Sequence, residues 1–276
     1  MIANLFQAAI LGIVQGLSEF LPISSSGHLV VLPQIFGWPG LVGSLDFDVA
    51  AHLGTAAALI FFFWRDWVRL IFSFIAQIPR GWRGISGDLE AKLLALIVVG
   101  SIPAGVVGVL FDRMIEKSLR SVLLVGVTTV VFGLLLWWVD QKAARAKKIT
   151  SVGWLDSIIV GTAQAVALVP GVSRSGITIT AARLQKLERG AAVRFSFLLS
   201  TPAVLGAGLL TAKDLVGSST DVSIFLVGFI FATISGYLAI KFLLAFVQKN
   251  NFNIFVFYRI AFGIFLVLWT FLRGVF

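Results

Sequence analysis

GIVQGLSEFLPISSSGH at residues 12–28 and GTAQAVALVPGVSRSGIT at residues 161–178 are two versions of one pattern, set 149 residues apart. Gly12, Gln15, Ser24, Ser26 and Gly27 return in the same order and spacing as Gly161, Gln164, Ser173, Ser175 and Gly176. In each copy Pro, Gly and Ser interrupt an apolar segment, and polar side chains gather at the interruption. The first copy has Glu19, Ser25 and His28; the second has Arg174 and Thr178. Matched interruptions in two halves of a hydrophobic chain place a binding site at the repeat interface, near the bilayer midplane.

Composition supports a bilayer as the solvent. Of 276 residues, 58% are hydrophobic and 13% charged, and the mean hydropathy is +0.99. A soluble domain needs far more charged surface, so the chain is expected to be a polytopic membrane protein built as one bundle. The net charge of +9 lies in short loops between apolar spans, where it orients the chain and meets anionic headgroups. No nucleic-acid partner is implied. The absence of Cys excludes disulfides and thiolate metal sites. No cleavable signal peptide is expected, because the first basic residue is Arg65.

Six apolar stretches have the length needed to cross: 46–64, 91–111, 121–139, 190–211, 222–246 and 254–273. Residues 1–37 and 154–186 are also apolar but are broken at LPISSSGH and VPGVSRSG. Backbone that leaves the helix at membrane depth is tolerated only when buried in protein or lining a wet cavity. The two segments are therefore expected to be re-entrant helical hairpins. The fold class is then an all-α polytopic membrane protein with six transmembrane helices plus two hairpins. It forms a single membrane domain over 1–276, with repeat one at 1–140 and repeat two at 150–276. Three spans per repeat is odd, so the repeats should have inverted topology.

Loop charge orients this arrangement. Arg65, Arg69, Arg80, Arg83, Lys142, Arg145, Lys147, Lys148, Arg183, Lys186, Arg189 and Lys249 share one face, against Arg113, Lys117, Arg120, Lys213 and Arg273 on the other. The positive-inside rule makes the first face cytoplasmic and puts both termini outside. Trp38, Trp64, Trp67, Trp137 and Trp138 read as an interfacial belt.

The polar residues divide by chemistry. Glu19 follows Gln15 by four residues, on the same helix face. A carboxylate at membrane depth costs about 2.5–3.5 kcal/mol or more, so it should face a cavity, a cation or a partner. Divalent-cation ligation by Glu19, with Gln15 adding a neutral oxygen, fits the preference of hard cations. Ser24, Ser25, Ser26, Gly27 and His28 should begin the second half of the first hairpin, with at least one serine serving as an N-cap. His28 beside Ser25 is a pairing in which either residue can be activated as a nucleophile or act as a base. Arg174, flanked by Ser173, Ser175 and Gly176, suits phosphate oxygens, and free N–H groups at a half-helix start add to that. An ion pair between Arg174 and Glu19 is compatible with a resting state. Asp46, Asp48 and His52 flank a span start, while Arg194, Lys241 and Arg259 read as snorkelling side chains.

Taken with the FSFLLSTP stretch at 195–202, the two motifs resemble the bacitracin-resistance-type undecaprenyl pyrophosphate phosphatases over nearly the whole chain. The resemblance implies a bacterial plasma-membrane enzyme that hydrolyses undecaprenyl pyrophosphate to the monophosphate and phosphate, recycling the lipid carrier of cell-wall synthesis. It also implies dependence on Mg²⁺ or Ca²⁺ and a site open to the periplasmic side. By motif, Glu19 falls on the family's acidic position, and Ser25 and His28 on its Ser and His. Arg174, with Ser173 and Thr178, falls on its pyrophosphate-binding signature. Position 15 is Gln here, where many members carry Glu. The partners implied are a polyprenyl pyrophosphate and the bilayer; a homodimer stays open.

In this reading Arg174, Ser173, Thr178 and backbone N–H groups hold the pyrophosphate, with Ser24, Ser26, Gly27, Ser175 and Gly176 lining the same chamber. Either His28 attacks phosphorus or it deprotonates Ser25 or water. The rival from another class is a secondary transporter or flippase for an anionic polyprenyl lipid, which needs no Ser25 and His28 pair. The acid-phosphatase type of lipid phosphatase is excluded, because no His follows Arg174.

Overall fold

A computed structural model describes residues 2–38, 45–118, 121–211 and 222–273. The described residues are almost wholly helical: α1 (Ile2–Phe20), α2 (Ser25–Phe36), α3 (Leu45–Gln77), α4 (Gly81–Gly87), α5 (Leu89–Ser118), α6 (Val122–Lys142), α7 (Trp154–Val166), α8 (Arg174–Leu184), α9 (Arg189–Thr211), α10 (Val222–Phe246) and α11 (Asn253–Arg273). Both interrupted motifs break where the sequence places them, between α1 and α2 and between α7 and α8.

Among the described residues five helices are long and apolar enough to cross a bilayer: α1, the Leu89–Phe111 part of α5, α6, α10 and α11. That set differs from the six stretches expected. It gains α1, which has 19 residues and only Glu19 as a charge. α3 and α9 are not in that set, which covers the described residues alone; the side chains of 46, 48, 207 and 209–211 lie outside them. α3 also runs on past residue 64, through non-helical dihedrals at Phe63. Asp46, Asp48, Arg113 and Lys117 have side chains outside the described ones, and Arg120 and Lys213 lie outside the described residues altogether.

The helices interlock across the two halves. α1 packs along α10, α7 packs along α5, α6 packs on α11, and α3 packs on α9. Without a hydrophobic drive between helices in lipid, close approach of small residues supplies the contact. A Cβ on Gly12 would lie 2.7 Å from Gly228 O of α10, and one on Gly161 would collide with Gly100 O of α5. The repeated glycine therefore does the same job in both halves: it lets a hairpin helix seat against its partner's backbone.

At one end of the bundle Asp140, at the close of α6, is buried under two arginines. Arg183 Nε donates to it at 3.1 Å and Arg189 Nη2 at 2.7 Å. Arg183 also donates to the carbonyls of Ala143, Ala144 and Leu187. Two of the residues counted as loop charge are thus a buried clamp joining α6 to the α8–α9 turn. Trp64, Trp137 and Trp138 are exposed on the outer surface, and Arg65 and Lys142 lie over Trp64 and Trp138.

Candidate functional site

The two tips share a backbone device. Ser24 has φ 77° and Ser173 φ 71°, a region that L side chains rarely adopt. Each residue turns the chain so that α2 starts at Ser25 and α8 at Arg174. Such strain, of order 1–3 kcal/mol, persists only where surrounding contacts over-determine it. Those contacts cross between the tips. Ser175 Oγ donates to Leu21 O at 3.1 Å, and Gly171 N–H donates to Ser26 Oγ at 3.3 Å. Ser173 Oγ accepts from Gly176 N–H and caps α8, whereas Ser24 Oγ makes no cap and lies 3.3 Å from Ser26 Oγ. Two helix N-termini, each with free N–H groups, therefore start side by side.

Between them sit the charges. Glu19 Oε2 accepts from Ser25 Oγ at 2.7 Å and from Gln15 Nε2 at 3.1 Å. Glu19 Oε1 lies 3.8 Å from Arg174 Nη1. That distance is a charge contact, not a hydrogen bond, and Arg174 Nη1 is buried without a hydrogen-bond partner. A buried, unpaired guanidinium N–H is costly, and the Glu19–Arg174 gap is the place where an oxygen atom would relieve it. Arg174 is the more open of the pair, its side chain 24% exposed against 6% for Glu19.

Glu19, Ser25, Gln15 and Arg174 are thus brought together as the sequence suggests. His28 takes a different partner from the one expected. Its Nδ1 donates to Ser24 O at 2.7 Å, and its Nε2 meets Tyr258 Oη at 2.5 Å, while the Ser25 hydroxyl goes to Glu19. Phe262 stacks on the His28 ring, centroids 4.4 Å apart. Thr178 stands behind Arg174, its hydroxyl donating to Arg174 O at 2.7 Å and lying 2.5 Å from Ser196 Oγ. Gly27 and Gly176 keep the helix starts clear; a Cβ on Gly176 would lie 2.7 Å from Arg259 Nη1.

Arg259 corrects a sequence expectation. Far from snorkelling, its side chain is fully buried. Its Nε donates to Thr129 O at 3.0 Å, its Nη2 to Gly171 O and Val172 O at 3.0 Å each, and its Nη1 to Pro22 O at 3.4 Å. One guanidinium thus holds α6 and both tips. No carboxylate pairs with it among the described ion pairs, so its positive charge lies uncompensated beneath the helix starts. Tyr258 has no motif to mark it and Arg259 reads as snorkelling, because both sit in an apolar helix some 230 residues from the first tip, where Tyr and Arg read as interfacial. The only signal was Arg259's position, six residues inside α11 rather than at its end.

The donors available to a divalent cation are few. No cluster of three or more His, Asp or Glu exists among the described residues. Gln15 Oε1 is buried without a partner, however, and Glu19 Oε1 lies 3.8 Å from Arg174 Nη1, too far for a hydrogen bond. One carboxylate plus one amide oxygen suits a Mg²⁺ that keeps its waters and shares substrate phosphate oxygens, rather than an all-protein cage. The donor set fits a cation of that kind.

A family model described as bacitracin resistance protein BacA matches residues 8–265. Among similar proteins, an undecaprenyl-diphosphatase of Thermodesulfovibrio yellowstonii is 46% identical over 273 residues, covering 98% of this chain and 99% of the relative. Undecaprenyl-diphosphatases of Desulforudis audaxviator and Moorella thermoacetica are each 44% identical, over 98% of this chain and 100% and 99% of theirs.

Proposed function

The chain belongs to the bacitracin resistance protein BacA family, and from that premise we propose that it is a membrane phosphatase hydrolysing undecaprenyl diphosphate to undecaprenyl phosphate and phosphate. The reaction returns the lipid carrier of cell-wall synthesis to use. The observation that carries this reading is the buried, unpaired Nη1 of Arg174, facing Glu19 where two helix N-termini start together. Phosphoryl transfer needs mainly positioning and charge stabilisation, and this arrangement offers both. The rival expectation of a transporter or flippase gains no support from relatives named for the phosphatase.

The diphosphate sits against Arg174 and the N–H groups of α2 and α8, with Ser173 and Thr178 fixing the Arg174 backbone. Ser25 Oγ, already hydrogen-bonded to Glu19, attacks the terminal phosphorus as its proton passes to Glu19. The bond from that phosphorus to the bridging oxygen breaks, and undecaprenyl phosphate leaves. Water then attacks the phosphorus with His28 Nε2 taking its proton, the bond from phosphorus to Ser25 Oγ breaks, and Glu19 returns its proton to Oγ as phosphate leaves. Glu19 Oε1 and Gln15 Oε1 would hold a divalent cation, Mg²⁺ or Ca²⁺, which when bound supplies positive charge to the phosphate oxygens. Rapid-quench trapping with labelled substrate tests the covalent route: an acid-stable phosphoserine is expected in wild type and in His28→Ala, and none in Ser25→Ala. A phosphoenzyme that survives in Ser25→Ala would remove Ser25 as nucleophile. Chelation with EDTA is expected to abolish turnover and added Mg²⁺ to restore it; full activity in EDTA would remove the cation.

The arrangement in the membrane follows the same reading: six spans plus the α1–α2 and α7–α8 hairpins, as two inverted repeats in one domain, with both termini outside and the site open outward. The cross-packing of α1 on α10 and of α7 on α5 supports it. Because the chain has no Cys, single cysteines at Lys147 and Ser26 can be labelled with an impermeant maleimide in intact cells. Labelling at 26 but not at 147 is expected; the reverse would invert the topology.

A further inference from the structure

His28 has two ring nitrogens, and the structure assigns them different work. Ser24 O can only accept a hydrogen bond, so the Nδ1 that lies 2.7 Å from it carries the hydrogen. In the neutral imidazole Nε2 is then the bare nitrogen, the one that can act as base. Tyr258 Oη lies 2.5 Å from it and therefore donates its hydrogen to Nε2. The base that the proposed function needs is occupied in the resting protein.

The imidazole cannot swing out to free itself. His28 is buried, its Nδ1 is tied to Ser24, and Phe262 stacks on one face of its ring at 4.4 Å and 8°, with the Tyr258 ring, 5.8 Å from Phe262, set at its edge. The phenol has more room, with Tyr258 43% exposed. The neighbouring residue on α11, Arg259, reaches Pro22 O of the first tip, so α11 presents this hydroxyl beside the tip that carries Ser25 and His28. A phosphate oxygen is a stronger acceptor than a neutral imidazole nitrogen, because its hydrogen bond is charge-assisted.

We propose that Tyr258 is a substrate-operated cap on His28. In the free protein its hydroxyl covers Nε2. When a diphosphate group arrives, the hydroxyl transfers its hydrogen bond to a phosphate oxygen, which binds the substrate and uncovers the base in one movement. The second half of this proposal rests on the phosphatase reading; the first half, the cap, stands on the free protein alone.

The chain's two histidines make the test clean. Diethyl pyrocarbonate acylates an unprotonated, accessible imidazole nitrogen, and peptide mass spectrometry reads His28 and His52 separately, with His52 as the internal reference. Tyr258→Phe keeps the ring and removes only the hydroxyl. Loss of one hydrogen bond of about 1–1.5 kcal/mol corresponds to roughly tenfold. His28 should therefore be acylated about tenfold faster relative to His52, with the melting temperature in detergent lowered by no more than a few degrees. In turnover, KM for undecaprenyl diphosphate should rise by about the same factor while kcat changes less. Unchanged labelling overturns the cap, whatever the substrate is. Faster labelling with a wild-type KM overturns the transfer to phosphate. A measurement without any variant guards against misfolding: ¹⁵N-histidine NMR of the wild-type protein should show His28 in the Nδ1–H form. The Nε2–H form would make Tyr258 an acceptor and end the proposal.

Discussion

The first tip and the second are the same turn made twice, and what they share differs in kind from what they do not. Shared positions, Gln15 excepted, carry architecture. Ser24 and Ser173 take the positive φ, Ser26 and Ser175 pin one tip to the other, and Gly12 and Gly161 seat the incoming helices. Positions that differ carry the chemistry. Where the first tip has Glu19, Ser25 and His28, the second has Leu168, Arg174 and Ile177. A symmetric scaffold thus holds an asymmetric site, with a carboxylate, a hydroxyl and a base from one side and a cation from the other. The lesson is that repetition marks the frame, and departure from repetition marks the reacting groups.

The largest effect should come from the positions that depart. Arg174→Ala is expected to lower kcat/KM by about 10³-fold, in the range seen when one charge-stabilising group is removed from a phosphoryl-transfer site. Glu19→Ala should match it, because Ser25 then loses its acceptor. Leu168→Ala, at the position equivalent to Glu19, should leave turnover within a few-fold of wild type. Steady-state phosphate release decides this. An Arg174→Ala protein with near-normal turnover would break the division of labour between the tips.

Next comes Arg259, which belongs to neither tip and holds both. Arg259→Met leaves four buried carbonyls, those of Thr129, Gly171, Val172 and Pro22, without their donor. At about 1–3 kcal/mol for an unsatisfied buried polar group, the loss should exceed 3 kcal/mol in total. Thermal unfolding in detergent should show a large drop, only partly recovered by Arg259→Lys, whose single ammonium cannot span the same carbonyls. A melting temperature equal to wild type would mean the tips are held by their own cross-links.

How far this arrangement is legible in the sequence follows from where the signals lie. Breaks in periodicity are local, so the turns at Leu21–Ser24 and Pro170–Ser173 and the helix starts at Ser25 and Arg174 can be read from the chain alone. The meeting of Glu19 with Arg174 is readable because the repeat supplies the missing long-range information. Nothing comparable announces Tyr258 or Arg259, since α11 has no twin motif that marks them, and a buried arginine satisfied by carbonyls has no sequence signature.

A smaller effect distinguishes the two cross-tip pins. Ser175 is buried, and its hydroxyl is the donor to Leu21 O; Ser26 is exposed, and in the cross-tip bond its hydroxyl accepts, at 3.3 Å, from Gly171 N–H. Ser175→Ala should cost about 1–2 kcal/mol and Ser26→Ala under about 0.5 kcal/mol, because water can replace the exposed partner. Equal costs would show that the tips lean on each other symmetrically.

The finest test uses the strained serines themselves. Glycine adopts positive φ freely, so replacing a strained serine by glycine releases strain but adds freedom to the unfolded chain. At Ser24 the side chain makes no cap, so the released strain should leave Ser24→Gly neutral to about 1 kcal/mol more stable. At Ser173 the same relief is offset by loss of the hydroxyl that accepts from Gly176 N–H, a contribution of about 1 kcal/mol, although glycine itself is a tolerable N-cap. Ser173→Gly should therefore fall below Ser24→Gly in melting temperature. If Ser173→Gly is instead the more stable variant, the cap contributes less than the strain it accompanies, and the second tip is the more strained of the two.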